Sequence, residues 1–185
     1  MGKREDIINA TLECIDEEGL QSVTFAKIMK KAKVGSGTIF NYFSNKDEIV
    51  YEVYRSARLL MGQHLLAGYD PRASLYERFK QIQLNRLRFA VQYRKEYLFI
   101  DTYSYTPYIS TDLRNMDDGA TTEMMDIIID GQKQGFIKEM DPRLCHQITH
   151  GIISSVIKGF FIEKYPLTEQ LEQQTLEASW KAIKL

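Results

Sequence analysis

Apolar residues return at steps of three and four along almost the whole chain, and each run is closed off by residues that start or stop helices. Side chains spaced this way share one face of a helix, so the runs must bury their stripes against one another. No stretch alternates apolar and polar residues between hairpin turns, and no segment repeats another. The spacing therefore predicts an all-α fold.

Ile7, Ala10, Thr11, Cys14 and Ile15 give a first helix ending at Gly19. Thr24 caps a short helix through Ala32, and a second short one runs from Ser36 to Phe43 after the break at Lys33-Val34-Gly35. Ser44-Asn45-Lys46-Asp47 reads as a capping box for a helix through Ile49, Val53, Ala57 and Leu60. Asp70-Pro71 pairs an N-cap with a first-turn proline, predicting a long helix along Leu75, Phe79, Ile82, Phe89 and Tyr93. A shorter piece over Tyr97–Tyr105 stops before Thr106-Pro107. One run from Asp112 to Gln134 is ended by Gly135, Asp141-Pro142 opens another to Tyr165, and Thr168 starts the last. The total is about nine helices.

At 185 residues, with 44% hydrophobic and 26% charged side chains, the composition is that of a folded globule and excludes a disordered chain. The 24 Lys and Arg almost cancel the 25 Asp and Glu, which excludes a uniformly basic coat but not a local patch. Cys14 and Cys145 stand far apart without metal-ligand spacing, so neither a disulfide framework nor a structural zinc is expected. With neither a secretory leader nor an apolar run able to span a bilayer, the expectation is a soluble cytoplasmic protein with no membrane partner.

Charge is unevenly placed. From Thr24 to Lys46 the chain holds Lys27, Lys30, Lys31, Lys33 and Lys46 and no acid at all. Two short helices joined by a tight turn within a basic surround are what a helix-turn-helix needs to enter a DNA major groove. Gly35, Ser36 and Gly37 would let backbone approach closely, while Thr38, Tyr42 and Lys46 could bond phosphates. Charge alone leaves a solvated lysine face open as the alternative.

The residue order is more specific. Thr24-Phe25-Ala26-Lys27-Ile28-Met29, followed by Ala32-Lys33-Val34-Gly35-Ser36-Gly37-Thr38-Ile39-Phe40-Asn41-Tyr42-Phe43-Ser44-Asn45-Lys46-Asp47-Glu48-Ile49, closely resembles the DNA-binding signature of the tetracycline-repressor-like (TetR) family of bacterial regulators. With the first helix, the likeness covers about residues 4–50. It implies that the third helix lies in the major groove and that Thr24, Thr38, Tyr42 and Lys46 hold phosphates. With Lys27, Gly35, Ser36, Gly37 and Asn41 these form the expected DNA-contact set. Three positions depart from the pattern: Lys33 stands where the turn commonly has Gly, Gly35 where a Ser often caps the helix, and Phe40 where Tyr is typical. Ile28, Val34, Ile39 and Phe43 are read as core.

The resemblance also implies two domains, a helix-turn-helix domain over 1–48 and an effector-binding and dimerisation domain over 49–185, whose last two helices form a four-helix dimer interface. Independently, Gly151, Ser155 and Gly159 form a small-residue stripe, with Thr175 and Ala178 on a comparable face and Trp180 as an anchor. The same stripes could instead pack within the chain. Between the two ends, Phe89, Tyr93, Tyr97, Tyr103 and Met124 suit an adaptable apolar pocket for a small-molecule effector, and Arg86 and Arg88 leave an acidic or acyl-thioester ligand open.

No nucleophile elbow, phosphate loop or dinucleotide fingerprint occurs, so no enzyme and no cofactor are expected. His146 and His150 share a helix face beside Cys145, but without a third ligand they read as a packed pair and no metal is expected. The function expected is that of a homodimeric repressor, released from double-stranded operator DNA with an inverted repeat by a small-molecule effector. The alternative is a helical small-molecule carrier or enzyme using the middle aromatics.

Overall fold

The computed structural model describes residues 2–185. Among them the chain forms ten α-helices and one 3₁₀ turn: α1 (Lys3–Glu18), the turn Leu20–Ser22, α2 (Phe25–Ala32), α3 (Ser36–Tyr42), α4 (Lys46–Leu65), α5 (Leu75–Gln92), α6 (Arg94–Tyr103), α7 (Thr111–Arg114), α8 (Ala120–Lys133), α9 (Pro142–Phe161) and α10 (Glu169–Ile183). The fold is all-α, its extended pairing among the described residues being one antiparallel bridge between Ile137 and Lys184.

Hydroxyl caps start several helices. Thr24, Ser110 and Thr168 accept from the amides of Lys27, Leu113 and Leu171 at 3.4, 3.2 and 3.2 Å. Asp141 opens α9 by accepting from the Arg143 amide at 2.8 Å, with Pro142 in the first turn. Its carboxyl is held down at about 2, chiefly by the Arg143 guanidinium and then by that amide.

Four expected boundaries are corrected. The box opening α4 is built on Asn45, one residue beyond Ser44: Asn45 accepts from the Glu48 amide at 2.9 Å, and the Glu48 carboxylate accepts from the Ser44 amide at 2.7 Å. Asp70-Pro71 makes a turn, with the Asp70 carboxylate accepting from the Arg72 amide at 2.9 Å. Instead α5 opens at Ser74, which exchanges hydrogen bonds with Glu77 in a full capping box. The run expected over 112–134 breaks into α7 and α8, because Asp117 accepts from the Gly119 amide at 2.8 Å, Asp118 accepts from the Thr121 amide at 2.9 Å, and Gly119 takes a φ of +77°. The α9 helix also stops at Phe161, short of Tyr165, where Glu163 turns left-handed at φ 58°.

Contacts gather into two compact units, one taking the chain up to Leu60 with Tyr93–Met116, the other Met61–Gln92 with Asp117–Leu185. A division at 48/49 would fall inside α4. In the first unit Ile7, Leu20, Ile28, Ile39, Ile49 and Tyr54 are fully buried, and Phe99 of α6 joins the same core. Burying each such side chain stabilises by roughly 1.5–3 kcal/mol. In the second unit α9 packs on α10, α8 and α5. Trp180, expected as an interface anchor, lies 5.3 and 5.1 Å from the rings of Tyr76 and Phe79 in its own chain.

Candidate nucleic-acid interface

Thr24 sets the start of α2, and Lys33 ends it in the left-handed region at φ 55° and ψ 44°. A side chain there is strained by the approach of Cβ to the following carbonyl, which is why glycine commonly fills such a position. Gly35 then opens α3 from an extended conformation with no side-chain cap, its carbonyl accepting from Thr38 and Ile39 at 3.1 and 3.2 Å. Ile39 and Phe43 are buried, Val34 is half-buried, and the opposite side of α3 faces solvent. Ser36, Gly37, Asn41 and Tyr42 are exposed there, and Thr38 is half-buried. A Cβ built on Gly35 or Gly37 would meet nothing within 4 Å, so the backbone at the start of α3 is open to a close partner.

The lysines divide. Lys27 is held by the Glu18 carboxylate and donates to the Ser22 carbonyl at 2.9 Å. Lys31 is held by Glu17, whose hydrogen bond raises the ammonium pKa, with Glu13 3.7 Å away. Lys46 donates to the Leu20 carbonyl at 2.7 Å. Acids at the end of α1 thus offset part of the charge that the acid-free stretch 24–46 brings, while Lys30 and Lys33 stand exposed beside α3. Of the contact set named from sequence, Lys27 and Lys46 are already engaged by their own chain.

Phe40 lies outside that set. It is 58% exposed and stacks on Phe25 of α2 at 5.1 Å between ring centroids. An apolar ring fixed on the open face of a short helix suits a thymine methyl or a sugar. The signal was its place one helical turn after Ser36 and Gly37.

The expected effector residues fall in different units. Phe89 and Met124 are buried in the second; Tyr93, Tyr97 and Tyr103 belong to the first. Tyr97 is buried, and the Tyr103 hydroxyl accepts from the Leu20 amide at 3.1 Å. A cleft of about 290 Å³ opens between α1 and α6, lined by Leu12, Ile15, Gly19, Leu98 and Phe99 with Asp16, Arg94 and Lys95 at its rim; among the five, Tyr103 lines it.

The small-residue stripe also divides. Gly151, Ser155 and Ala178 are exposed. Thr175 is buried and donates back to the Leu171 carbonyl at 2.7 Å. Gly159 is buried against its own chain, where the Tyr165 hydroxyl would lie 2.0 Å from an added Cβ. The rings of His146 and His150 are 6.2 Å apart, and His150 Nε2 lies 3.4 Å from Ser154 Oγ. Among the described residues no three His, Cys, Asp or Glu side chains are grouped to hold a metal, and no helix is long and apolar enough to cross a membrane.

The family model for bacterial regulatory proteins of the tetR family matches residues 7–53, and that for the tetracyclin repressor-like C-terminal domain matches residues 55–185. An uncharacterized HTH-type transcriptional regulator of Haemophilus influenzae is 22% identical over 180 residues, covering 97% of this chain and 94% of the relative. The crystal structure of a TetR family transcription regulator from Marinobacter aquaeolei is 14% identical, with a TM-score of 0.90 over 98% of this chain and 95% of that one. The transcriptional regulator FadR of Bacillus subtilis, solved in complex with stearoyl-CoA, is 23% identical, with a TM-score of 0.77 over 97% of this chain and 98% of that one.

Proposed function

The chain belongs to the TetR family of bacterial regulatory proteins, and on that premise we propose that it acts in the cytoplasm as a homodimeric repressor, without catalysis of its own, binding an inverted-repeat operator until a small molecule releases it. The observation that carries this reading is the open face of α3. Gly35 and Gly37 leave its start uncovered, Ser36, Phe40, Asn41 and Tyr42 point outward, and Lys30 and Lys33 flank it. Such a helix fits a major groove, with the outward side chains toward base edges and the rim toward phosphates. Thr24, Thr38 and the remaining donors of the Lys27 and Lys46 ammonium groups would supply the phosphate contacts.

Dimerisation is supported by Gly151, Ile152, Ser155 and Val156 on α9 and Ala178 on α10, which are left exposed or half-exposed. Two copies meeting there would join two reading heads, so that each half-site contact raises the effective concentration of the other. For the effector, the solved relative with stearoyl-CoA supports an acyl-thioester class. Within the second unit Gln83 is 1% exposed and its carboxamide oxygen accepts no hydrogen bond from the described chain; Arg86, one turn on, is also buried. A polar ligand group entering that core would satisfy an atom that is costly to leave unmade. Release then follows by linkage: a ligand that binds the DNA-incompetent form more tightly lowers DNA affinity by the same factor.

Fluorescence anisotropy with DNA from upstream of the chain's own gene, under excess non-specific competitor, tests the reading. Saturable binding that long-chain acyl-CoA reverses is the expected result. Binding no tighter than to unrelated DNA would refute it.

A further inference from the structure

Leu20 is fully buried in the turn between α1 and α2, and its backbone is held on both sides of its Cα. Its amide donates to the Tyr103 hydroxyl of α6 at 3.1 Å, and its carbonyl accepts from the Lys46 ammonium, at the first residue of α4, at 2.7 Å. The preceding Gly19 sits at φ +79°, and a Cβ there would come within 3.9 Å of the same tyrosine oxygen. One residue on from Tyr103, the Ser104 hydroxyl is 2.8 Å from the Tyr54 hydroxyl of α4. The end of α6 therefore grips the reading head at the turn that precedes α2 and on the helix that follows α3.

We infer that Tyr103 is a positioning residue for DNA binding, its hydroxyl holding the Leu20 amide and with it the backbone of the turn, so that the Leu20 carbonyl aims the Lys46 ammonium at a phosphate. The inference rests on the DNA-binding reading above. An ammonium has three donors in a tetrahedral spread, so fixing one on a carbonyl directs the other two. Without an anchor, a lysine side chain spends its time over many rotamers, and each phosphate contact it makes must first order it. The Tyr103 hydroxyl hydrogen-bonds the Leu20 amide and neither Lys46 nor the solvent-side residues of α3, so its effect on DNA must pass through the backbone at Leu20. The ring itself packs on Phe99 at 5.3 Å, independently of the hydroxyl.

Tyr103→Phe keeps that ring and deletes the one oxygen. Operator affinity, measured on a site selected from random DNA, should fall by about 2- to 12-fold, the range expected for one hydrogen bond. Lys46→Met should lower affinity and reduce the slope of log affinity against log salt by about 0.9, as loss of one phosphate contact does. In the Lys46→Met background, Tyr103→Phe should have almost no further effect, whereas a residue that merely stabilises the unit would weaken both backgrounds alike. The unaltered protein gives a second measurement. By reciprocity, saturating operator should slow hydrogen exchange at the Leu20 amide by a comparable factor. Wild-type affinity and salt slope in Tyr103→Phe, additive losses in the double variant, or an unchanged Leu20 exchange rate would each overturn the inference. If Lys46→Met weakens binding and Tyr103→Phe does not, the inference fails and the DNA-binding reading stands. If the wild type selects no site at all, the reading itself fails.

Discussion

Gly151 and Gly159 lie on the same helix and the same small-residue stripe, yet alanine should act oppositely at the two. At Gly159 a Cβ would stand 2.0 Å from the Tyr165 hydroxyl oxygen and 2.5 Å from the ring carbon bearing it. Carbon contacts want roughly 3.5–4.0 Å, so the end of that ring must retreat by more than about 1 Å. Its hydrogen bond to the Val156 carbonyl, 3.2 Å long, is then lost. The lost bond costs about 0.5–1.5 kcal/mol and overpacking about 1–3 kcal/mol, against about 1 kcal/mol returned by the helix propensity of alanine over glycine. Gly159→Ala should therefore destabilise the chain by about 0.5–3.5 kcal/mol. At Gly151 nothing lies within 4 Å of a Cβ, so Gly151→Ala should return about 0.5–1 kcal/mol of propensity with no offsetting clash. Urea denaturation of both variants reads the difference, and sedimentation equilibrium of Gly151→Leu reads whether the open part of the stripe joins two copies. If Gly159→Ala proves as stable as Gly151→Ala, the packing of Tyr165 on Gly159 does not constrain this helix and the reasoning is wrong.

Lys33→Gly relieves a left-handed side chain at φ 55° and should raise the urea midpoint, by about 0.5–1 kcal/mol in stability; an unchanged or lower midpoint would show no strain there. Asp141 titrates near 2 in the folded chain against 3.8 ordinarily, so its contribution is complete above about pH 3.8 and lost as pH falls through about 2. Asp141→Ala should accordingly lower the midpoint at neutral pH, with the gap to wild type closing over that acid window; a gap constant down to pH 2 would contradict the cap's ionic origin. Ser36→Leu should change the preferred base at one operator position by about 1–3 kcal/mol, read by selection from randomised DNA, and an identical site at equal affinity would place Ser36 away from the groove.

The helical plan was legible because periodicity and caps act locally: Thr24, Asp141-Pro142 and Thr168 start helices where their side chains reach the next amides. The sequence misleads where two local signals compete. Ser74 and Glu77 outbid Asp70-Pro71 because they satisfy amides in both directions, and Asp117-Asp118-Gly119 broke a run whose apolar spacing carried straight through it. The recognition segment was legible from residue order, but its charge was not. Which of Lys27, Lys30, Lys31, Lys33 and Lys46 stands free depends on Glu13, Glu17, Glu18 and the Leu20 carbonyl, and only packing brings these close. The division of the small-residue stripe into exposed and buried members is hidden in the sequence for the same reason. A glycine reads alike in sequence whether it makes room for a second helix or, as at Gly159, for a tyrosine six residues further along the chain.

Selection of sites from random DNA by the purified chain, followed by hydroxyl-radical footprinting of the winner, tests the central claim most directly. A protein that presents α3 to the major groove from each of two copies should enrich one inverted repeat and protect two patches on it, about one helical turn apart. Removing the recognition face, by Ser36→Leu together with Asn41→Ala, should abolish the enrichment while leaving the helical content unchanged. No enriched sequence from the wild type, or an enriched one that the double variant binds equally well, would contradict the account.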